Sequence, residues 1–230
     1  MDKLVMDGTT AITRTGFTLN GTTVSVDADP GERLSHALRE RLGARDVKSG
    51  CNAGDCGACT VLVDGAPVCA CLMPVQQAVG RQVETLAGLV KTDHDAQALM
   101  QSFQHHQAAQ CGICTPGMMV SAVALLREVP QPSAAQVQDA LGGVLCRCTG
   151  YRKIIDAVVG AHAADGLPVA STALGQPARR LDGQAKVDQA GDTVLGNAAG
   201  HDAVEMAQVW LNVDRQPVKR HPFANAQPNG

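Results

Sequence analysis

Nine cysteines constrain this 230-residue chain more than any other feature, because they are grouped and none follows Cys148. Cys51, Cys56 and Cys59 form one group and Cys69 with Cys71 a second; the third is Cys111 with Cys114, then Cys146 with Cys148. The first thirty residues contain no basic stretch followed by an apolar one, so no secretory signal is expected. Arg14 stands alone and Arg179-Arg180 lies far from the N-terminus, which speaks against a twin-arginine address. The expected compartment is the cytoplasm, with a periplasmic location only through export alongside a signal-bearing partner. In a reducing compartment thiols stay free or bind metal, so a disulfide framework is not the expected use of these residues.

The first group reads C-x4-C-x2-C, the spacing of a plant-type 2Fe–2S loop, which takes a further thiolate from a distant position. Cys69 or Cys71 can supply it, and their spacing, which puts both on one face of a strand, does not choose between them. The third group offers four more thiolates as C-x2-C and C-x-C. Two sulfide-bridged irons each need two soft anionic ligands, and thiolates meet both demands. Residues 49–59 include three glycines and two alanines, small enough to let backbone N–H groups turn toward the sulfurs. Zinc in a tetrahedral site of four thiolates is the rival reading. Glycines between ligands spaced C-x4-C-x2-C are atypical of zinc ribbons, and eight of the cysteines divide naturally into two clusters.

The remaining composition removes other classes. Hydrophobic residues make up 45%, enough for a buried core. Aromatics are 2% and the net charge is −3, so neither base stacking nor phosphate attraction favours nucleic acid. No apolar run approaches the ~20 residues needed to span a bilayer, and no direct membrane insertion is expected. Neither a Walker A loop nor a GxSxG elbow is present. The pair His105-His106 reads as solvated surface, and Met118-Met119 as helix core rather than a soft-metal site. Arg147, between two cysteines, is placed to adjust charge at the second cluster or to meet a partner.

Periodicity gives a coarse α+β outline. Weak alternation over residues 16–26 around Asn20-Gly21 predicts a hairpin, and Leu34, Leu38 and Leu42 place a helix over 32–42 ending at Gly43. Asp64-Gly65 predicts a second hairpin carrying Cys69 and Cys71. Together these make a small α+β domain over 1–86. An all-helical domain of four helices follows over 87–164. Its helices start at Asp93, at Thr115 (as cap, with Pro116 first inside), at Ser133 with a capping box to Gln136, and at Tyr151. Two cysteine pairs precede the second and fourth of these helices, whose N–H groups would steady a negative cluster. Residues 165–230 lose periodicity and read as an extended tail or linker packed on a partner.

Three stretches together carry a family resemblance. GCNAGDCGACTVLVDG at 50–65 is similar to the N-terminal cluster signature of the xanthine dehydrogenase/aldehyde oxidase family of molybdenum hydroxylases. QCGICTPG at 110–117 and LCRCTGY at 145–151 resemble the same family's second signature, and the likeness covers roughly residues 15–164. The resemblance implies a β-grasp, ferredoxin-like domain and a four-helix domain, each holding one 2Fe–2S cluster. It implies Cys51, Cys56, Cys59 and Cys71 as ligands of the first cluster, leaving Cys69 spare, and Cys111, Cys114, Cys146 and Cys148 as ligands of the second. It also sets Gln110 and Cys148 beside the molybdopterin cofactor of a large partner subunit. The implied role is an electron-transfer subunit with no general acid, base or substrate site of its own. It would pass electrons one at a time from the molybdenum centre to a flavin, cytochrome or other acceptor, with an FAD-binding or haem-bearing cytochrome c subunit as the further partner. A free-standing two-cluster carrier is the other class, although a molybdopterin-facing signature favours the first. GQPARRLDGQAKV at 175–187 resembles the opening of the family's molybdenum-binding portion, which implies that the tail is a split or relic piece of a fused arrangement.

Overall fold

The computed structural model describes residues 12–163, so the expected tail over 165–230 lies outside the described residues. Strands β1 (Thr13–Leu19) and β2 (Thr22–Ala28) form the predicted antiparallel hairpin around Asn20-Gly21. Phe17, Val26 and Ala28 point inward and are buried. The predicted helix over 32–42 is present but shorter and irregular: α1 (Leu34–His36) runs on as a π-type turn, Ala37–Arg41. Glu32 stays outside it, because its carboxylate accepts from the Arg41 guanidinium at 2.8 and 2.9 Å while its carbonyl accepts from Val75 N–H. The second hairpin, β3 (Thr60–Val63) and β4 (Ala66–Cys69), turns at Asp64-Gly65 as predicted.

The alternation signal missed β5 (Gln82–Glu84), a three-residue strand with only Val83 buried. This short strand closes the sheet. It runs parallel to β1 and antiparallel to β3, giving the order β2-β1-β5-β3-β4. Leu34 and Leu38 of the helix pack with Phe17, Val26, Val61, Val63 and Val83 in one core. A mixed sheet grasping one helix is the β-grasp arrangement that the motifs implied.

Every residue of β3 is buried, so this strand works on both faces. Val61 and Val63 serve the sheet core, whereas Leu62 enters a second core built by helices. That core holds Leu99, Phe103, Met118, Met119, Leu126, Leu141 and Ile154, each essentially inaccessible to water. Burial of such side chains stabilises by about 1.5–3 kcal/mol apiece relative to exposure. Met118 and Met119 are therefore core, as their helical setting suggested.

The four predicted helices correspond to α3 (His94–His105), α4 (Thr115–Glu128), α5 (Ala134–Leu141) and α6 (Arg152–Val159). A further short helix, α2 (Leu86–Thr92), precedes them and was not anticipated. Asp93 caps α3 by accepting from Ala96 N–H, and Ser133 with Gln136 forms the capping box expected of α5. Thr115 is not the cap of α4: it is buried as the first helical residue, and Cys114 occupies the cap position. Helix α6 begins after Tyr151 and stops at Gly160, with a 3-10 turn, Ala161–Ala163, after it. Among the described residues, no helix is long and apolar enough to cross a membrane.

Candidate iron–sulfur centres

The first cysteine loop joins α1 to β3 and is wound around its own sulfurs. Cys51 Sγ accepts from the backbone N–H groups of Ala53, Asp55 and Cys56, each at 3.3 Å, and Cys56 Sγ accepts from Cys51 N–H at 3.3 Å. Those donors, Ala53 and Cys56 foremost, pull the exposed Cys51 thiol down to about 7. A backbone arranged to favour thiolate over thiol favours any anionic sulfur placed there. Gly50 is part of the same wrap, since a Cβ at that position would lie 2.6 Å from Cys56 Sγ. Deeper in, burial pushes the Cys59 thiol up to about 12, reinforced by the adjacent Cys71.

Strand β4 ends at Cys69, so Cys71 lies beyond it and the expectation that both share one strand face does not hold. The two sulfurs differ accordingly. Cys71 is buried beside Cys59, whereas Cys69 is half-buried and donates to Gly54 carbonyl at 3.8 Å. Burial raises the Cys69 thiol above its ordinary value, so it is held as a neutral S–H.

The second group is assembled from two loops, one before α4 and one before α6. Cys148 Sγ lies 3.5 Å from Cys111 Sγ, with both residues exposed. Cys114 is buried and sits against Cys146; burial first, and then that neighbour, drive its thiol well above the ordinary range. At Cys146 burial works against ionisation, yet hydrogen bonds from the Thr149 hydroxyl and from backbone N–H groups outweigh it and lower the thiol. Gln110 and Arg147 are exposed beside these residues.

The two loop systems touch. Leu145 N–H donates to Cys56 carbonyl at 2.9 Å, linking a residue of the first group to the neighbour of Cys146. Gly57 in the first loop packs on Gly143 and Val144, and Gly117 of α4 packs on the Gly57 carbonyl, so closely that a Cβ on either glycine would overlap backbone. No periodicity signals such a junction. The glycines were visible only as small residues near ligands.

Donor chemistry fits iron–sulfur clusters at both places. Each has four thiols with at least one buried, backbone N–H groups aimed at sulfur, and no imidazole or carboxylate in the set. His105 and His106 lie elsewhere, with rings in edge contact at 5.0 Å. Among the described residues one other trio has ligand character: His94, Asp95 and His162, with the imidazole nitrogens 3.9 and 3.6 Å from Asp95 Oδ1. It lies at the N-terminal turn of α3, where the helix dipole opposes a cation, and His94 is 78% exposed.

Comparison with known proteins places this geometry in a lineage. Residues 17–86 match the family model of the 2Fe-2S iron-sulfur cluster binding domain, and residues 85–159 match that of the 2Fe-2S binding domain. The chain is 46% identical over 140 residues to the nicotinate dehydrogenase small FeS subunit of Eubacterium barkeri, covering 61% of this chain and 88% of that subunit. A chain of the quinoline 2-oxidoreductase structure from Pseudomonas putida 86 matches with a TM-score of 0.63 and 43% identity, over 67% of this chain and 97% of that one. The aldehyde oxidoreductase of Desulfovibrio desulfuricans matches with a TM-score of 0.69 and 36% identity, over 76% of this chain but 21% of that much longer one. Two cluster domains in the same order and likeness across nearly the whole of subunit-sized relatives lead to one conclusion: the chain belongs to the small iron–sulfur subunits of the xanthine dehydrogenase/aldehyde oxidase family of molybdenum hydroxylases.

Proposed function

We propose that this chain is the electron-transfer subunit of a molybdenum hydroxylase complex, standing between the molybdopterin centre of a large partner subunit and an FAD- or haem-bearing acceptor. When bound, each 2Fe–2S cluster supplies reversible one-electron storage, which splits a two-electron oxidation into single steps. The protein's part is to hold, space, shield and electrostatically tune the clusters.

Cys51, Cys56, Cys59 and Cys71 are assigned to the first cluster, and Cys111, Cys114, Cys146 and Cys148 to the second. The observation that carries this is the pairing of the sulfurs. Cys111 and Cys148 lie 3.5 Å apart, close to the roughly 3.7 Å edge of a tetrahedron with metal–thiolate bonds near 2.3 Å. Cys114 neighbours Cys146, Cys51 neighbours Cys56, and Cys59 neighbours Cys71, so each quartet offers two pairs for two irons. Cys69 is left as the half-buried S–H that donates to the Gly54 carbonyl.

Gln110 and Cys148 are assigned to the face that meets the molybdopterin of the large subunit. Their exposure supports this, as does Leu145, an apolar side chain left 57% exposed next to Cys146. The same reading divides the chain into a ferredoxin-like domain over 1–86, a helical cluster domain over 87–164 and a tail over 165–230. Two separate cores, and family matches at 17–86 and 85–159, support the first boundary. A cytoplasmic location follows from the thiol chemistry, which a reducing compartment preserves.

The test is EPR of the dithionite-reduced protein, purified anaerobically, with iron and acid-labile sulfide counted on the same sample. Two distinct S = ½ signals with about four irons and four sulfides per chain, the content of two 2Fe–2S clusters, are expected. Zinc in place of iron, with no signal, refutes the proposal. Copurification with a large molybdenum protein separates a subunit from a free carrier.

A further inference from the structure

The loop before α6 contains a hydrogen-bond circuit that the cysteine spacing does not require. Thr149 Oγ1 lies 3.1 Å from Cys146 Sγ and accepts from Tyr151 N–H at 3.1 Å. The Tyr151 hydroxyl reaches back, accepting from Cys146 N–H at 2.8 Å and donating to Val144 carbonyl at 3.2 Å. Tyr151 holds this position in the left-handed region, at φ +65°, which is uncommon for a bulky residue. Such a conformation is unfavourable and persists where surrounding bonds over-determine it. Here the two bonds of its hydroxyl do so.

A threonine hydroxyl has one proton and two lone pairs. One lone pair of Thr149 is taken by Tyr151 N–H, and Cys146 Sγ lies within hydrogen-bond reach of its proton. A metal-bound thiolate carries no proton, so in the loaded protein only the hydroxyl can donate. In the first loop the donors to Cys51 Sγ and Cys56 Sγ are backbone N–H groups, which mutation of side chains cannot remove. The second therefore has a donor that one side chain contributes.

We propose that Thr149, braced by Tyr151, is a positioning residue that sets the reduction potential of the second cluster by donating its hydroxyl hydrogen bond to the Cys146 sulfur. This rests on Cys146 being a ligand of that cluster, as assigned above. Reduction adds one electron and increases negative charge on the sulfurs; the hydroxyl bond strengthens, no proton is transferred, and the reduced state is favoured. The donor thus raises the potential of the second cluster relative to the first and biases how a single electron divides between them.

The experiment is a dye-mediated, EPR-monitored redox titration with dithionite on the full, cluster-loaded complex, comparing wild type with Thr149→Val and Thr149→Ser. Thr149→Val is expected to move the electron distribution between the clusters about tenfold toward the first, equivalent to ~59 mV for a one-electron couple. The second cluster's midpoint alone should fall, and Thr149→Ser, which keeps the hydroxyl, should restore it. An unchanged midpoint in Thr149→Val, or an equal shift of both clusters, overturns the proposal. Should Thr149→Val lose iron, Thr149→Ala removes the hydroxyl without setting a methyl against the sulfur and is read in the same way. Failure of the ligand assignment looks different: wild type itself would then carry about two irons and lack the second signal.

Discussion

At the scale of single residues, what separates Cys69 from Cys71 is which sulfur can lose its proton to a metal at little structural cost. Cys71 lies beyond the end of β4 and against Cys59, whereas the Cys69 S–H is engaged with Gly54 carbonyl. Cys71→Ser is expected to cost the first cluster, lowering iron from about four to about two per chain and removing one EPR signal. Cys69→Ser keeps a donor for Gly54 and should leave both signals and the iron count intact; loss of a cluster in that variant would exchange the roles of the two cysteines. Sequence spacing exposed eight of the nine thiols as two quartets, yet alternation was silent on this choice because the strand stops at Cys69, before Cys71. Thr115 teaches the same point. Its threonine–proline pair does mark the start of α4, but the chain enters the helix one residue sooner, which leaves the hydroxyl buried rather than capping.

At the scale of elements, the hairpins and the strongly periodic helices were legible because each writes its own pattern into adjacent residues. Contacts between elements do not. Strand β5 and helix α2 are too short to show a period, and both owe their existence to what they pack against: β5 fills the slot between β1 and β3, and α2 contributes Leu86 and Leu89 to the helical core. The junction of the two cysteine loops is of the same kind. Gly57 has φ +64° and its Cα faces the Gly143 carbonyl. Gly57→Ala therefore carries about 1–2 kcal/mol of left-handed backbone strain plus a collision with backbone that has no rotamer to escape into. A lowered Tm and a loss of magnetic coupling between the two reduced clusters are expected; an unchanged Tm with unchanged coupling would mean that the loops are not held by this contact. The end of α3 offers a pH-dependent counterpart. Burial, and then the neighbouring His105, hold the His106 imidazole below its ordinary value, partly offset by Asp156. The unfolded chain therefore binds the proton more readily, so stability is full above the unfolded value near 6.5 and declines as pH falls through the lower folded value. His106→Asn should flatten the fall in Tm between about pH 7.5 and 5.5, a slope that one group limits to roughly 1.4 kcal/mol per pH unit.

At the scale of the whole molecule, we propose that the tail adds a second attachment to the large subunit beyond the face assigned to Gln110 and Cys148. All eight assigned sulfurs lie between Cys51 and Cys148, and both cores are built of residues within the described span 12–163. Nothing in cluster chemistry calls on residues 165–230. Their one recognisable stretch, GQPARRLDGQAKV at 175–187, resembles the start of a molybdenum-binding portion, and the long aldehyde oxidoreductase chain matches a larger share of this chain, 76%, than the subunit-sized quinoline 2-oxidoreductase chain does, 67%. On the sequence resemblance we propose that this segment serves attachment to the large subunit. Deletion of residues 165–230 should accordingly leave about four irons per chain and both EPR signals, while reducing the amount of large subunit retained in a pull-down by several-fold. Equal retention by the truncated and full-length chains would remove docking from the tail's role, and loss of iron on truncation would show that cluster binding is not confined to the first 164 residues. The two readouts move independently only if the subunit is built as argued, with an electron-carrying module complete in itself and a separate attachment that aims it.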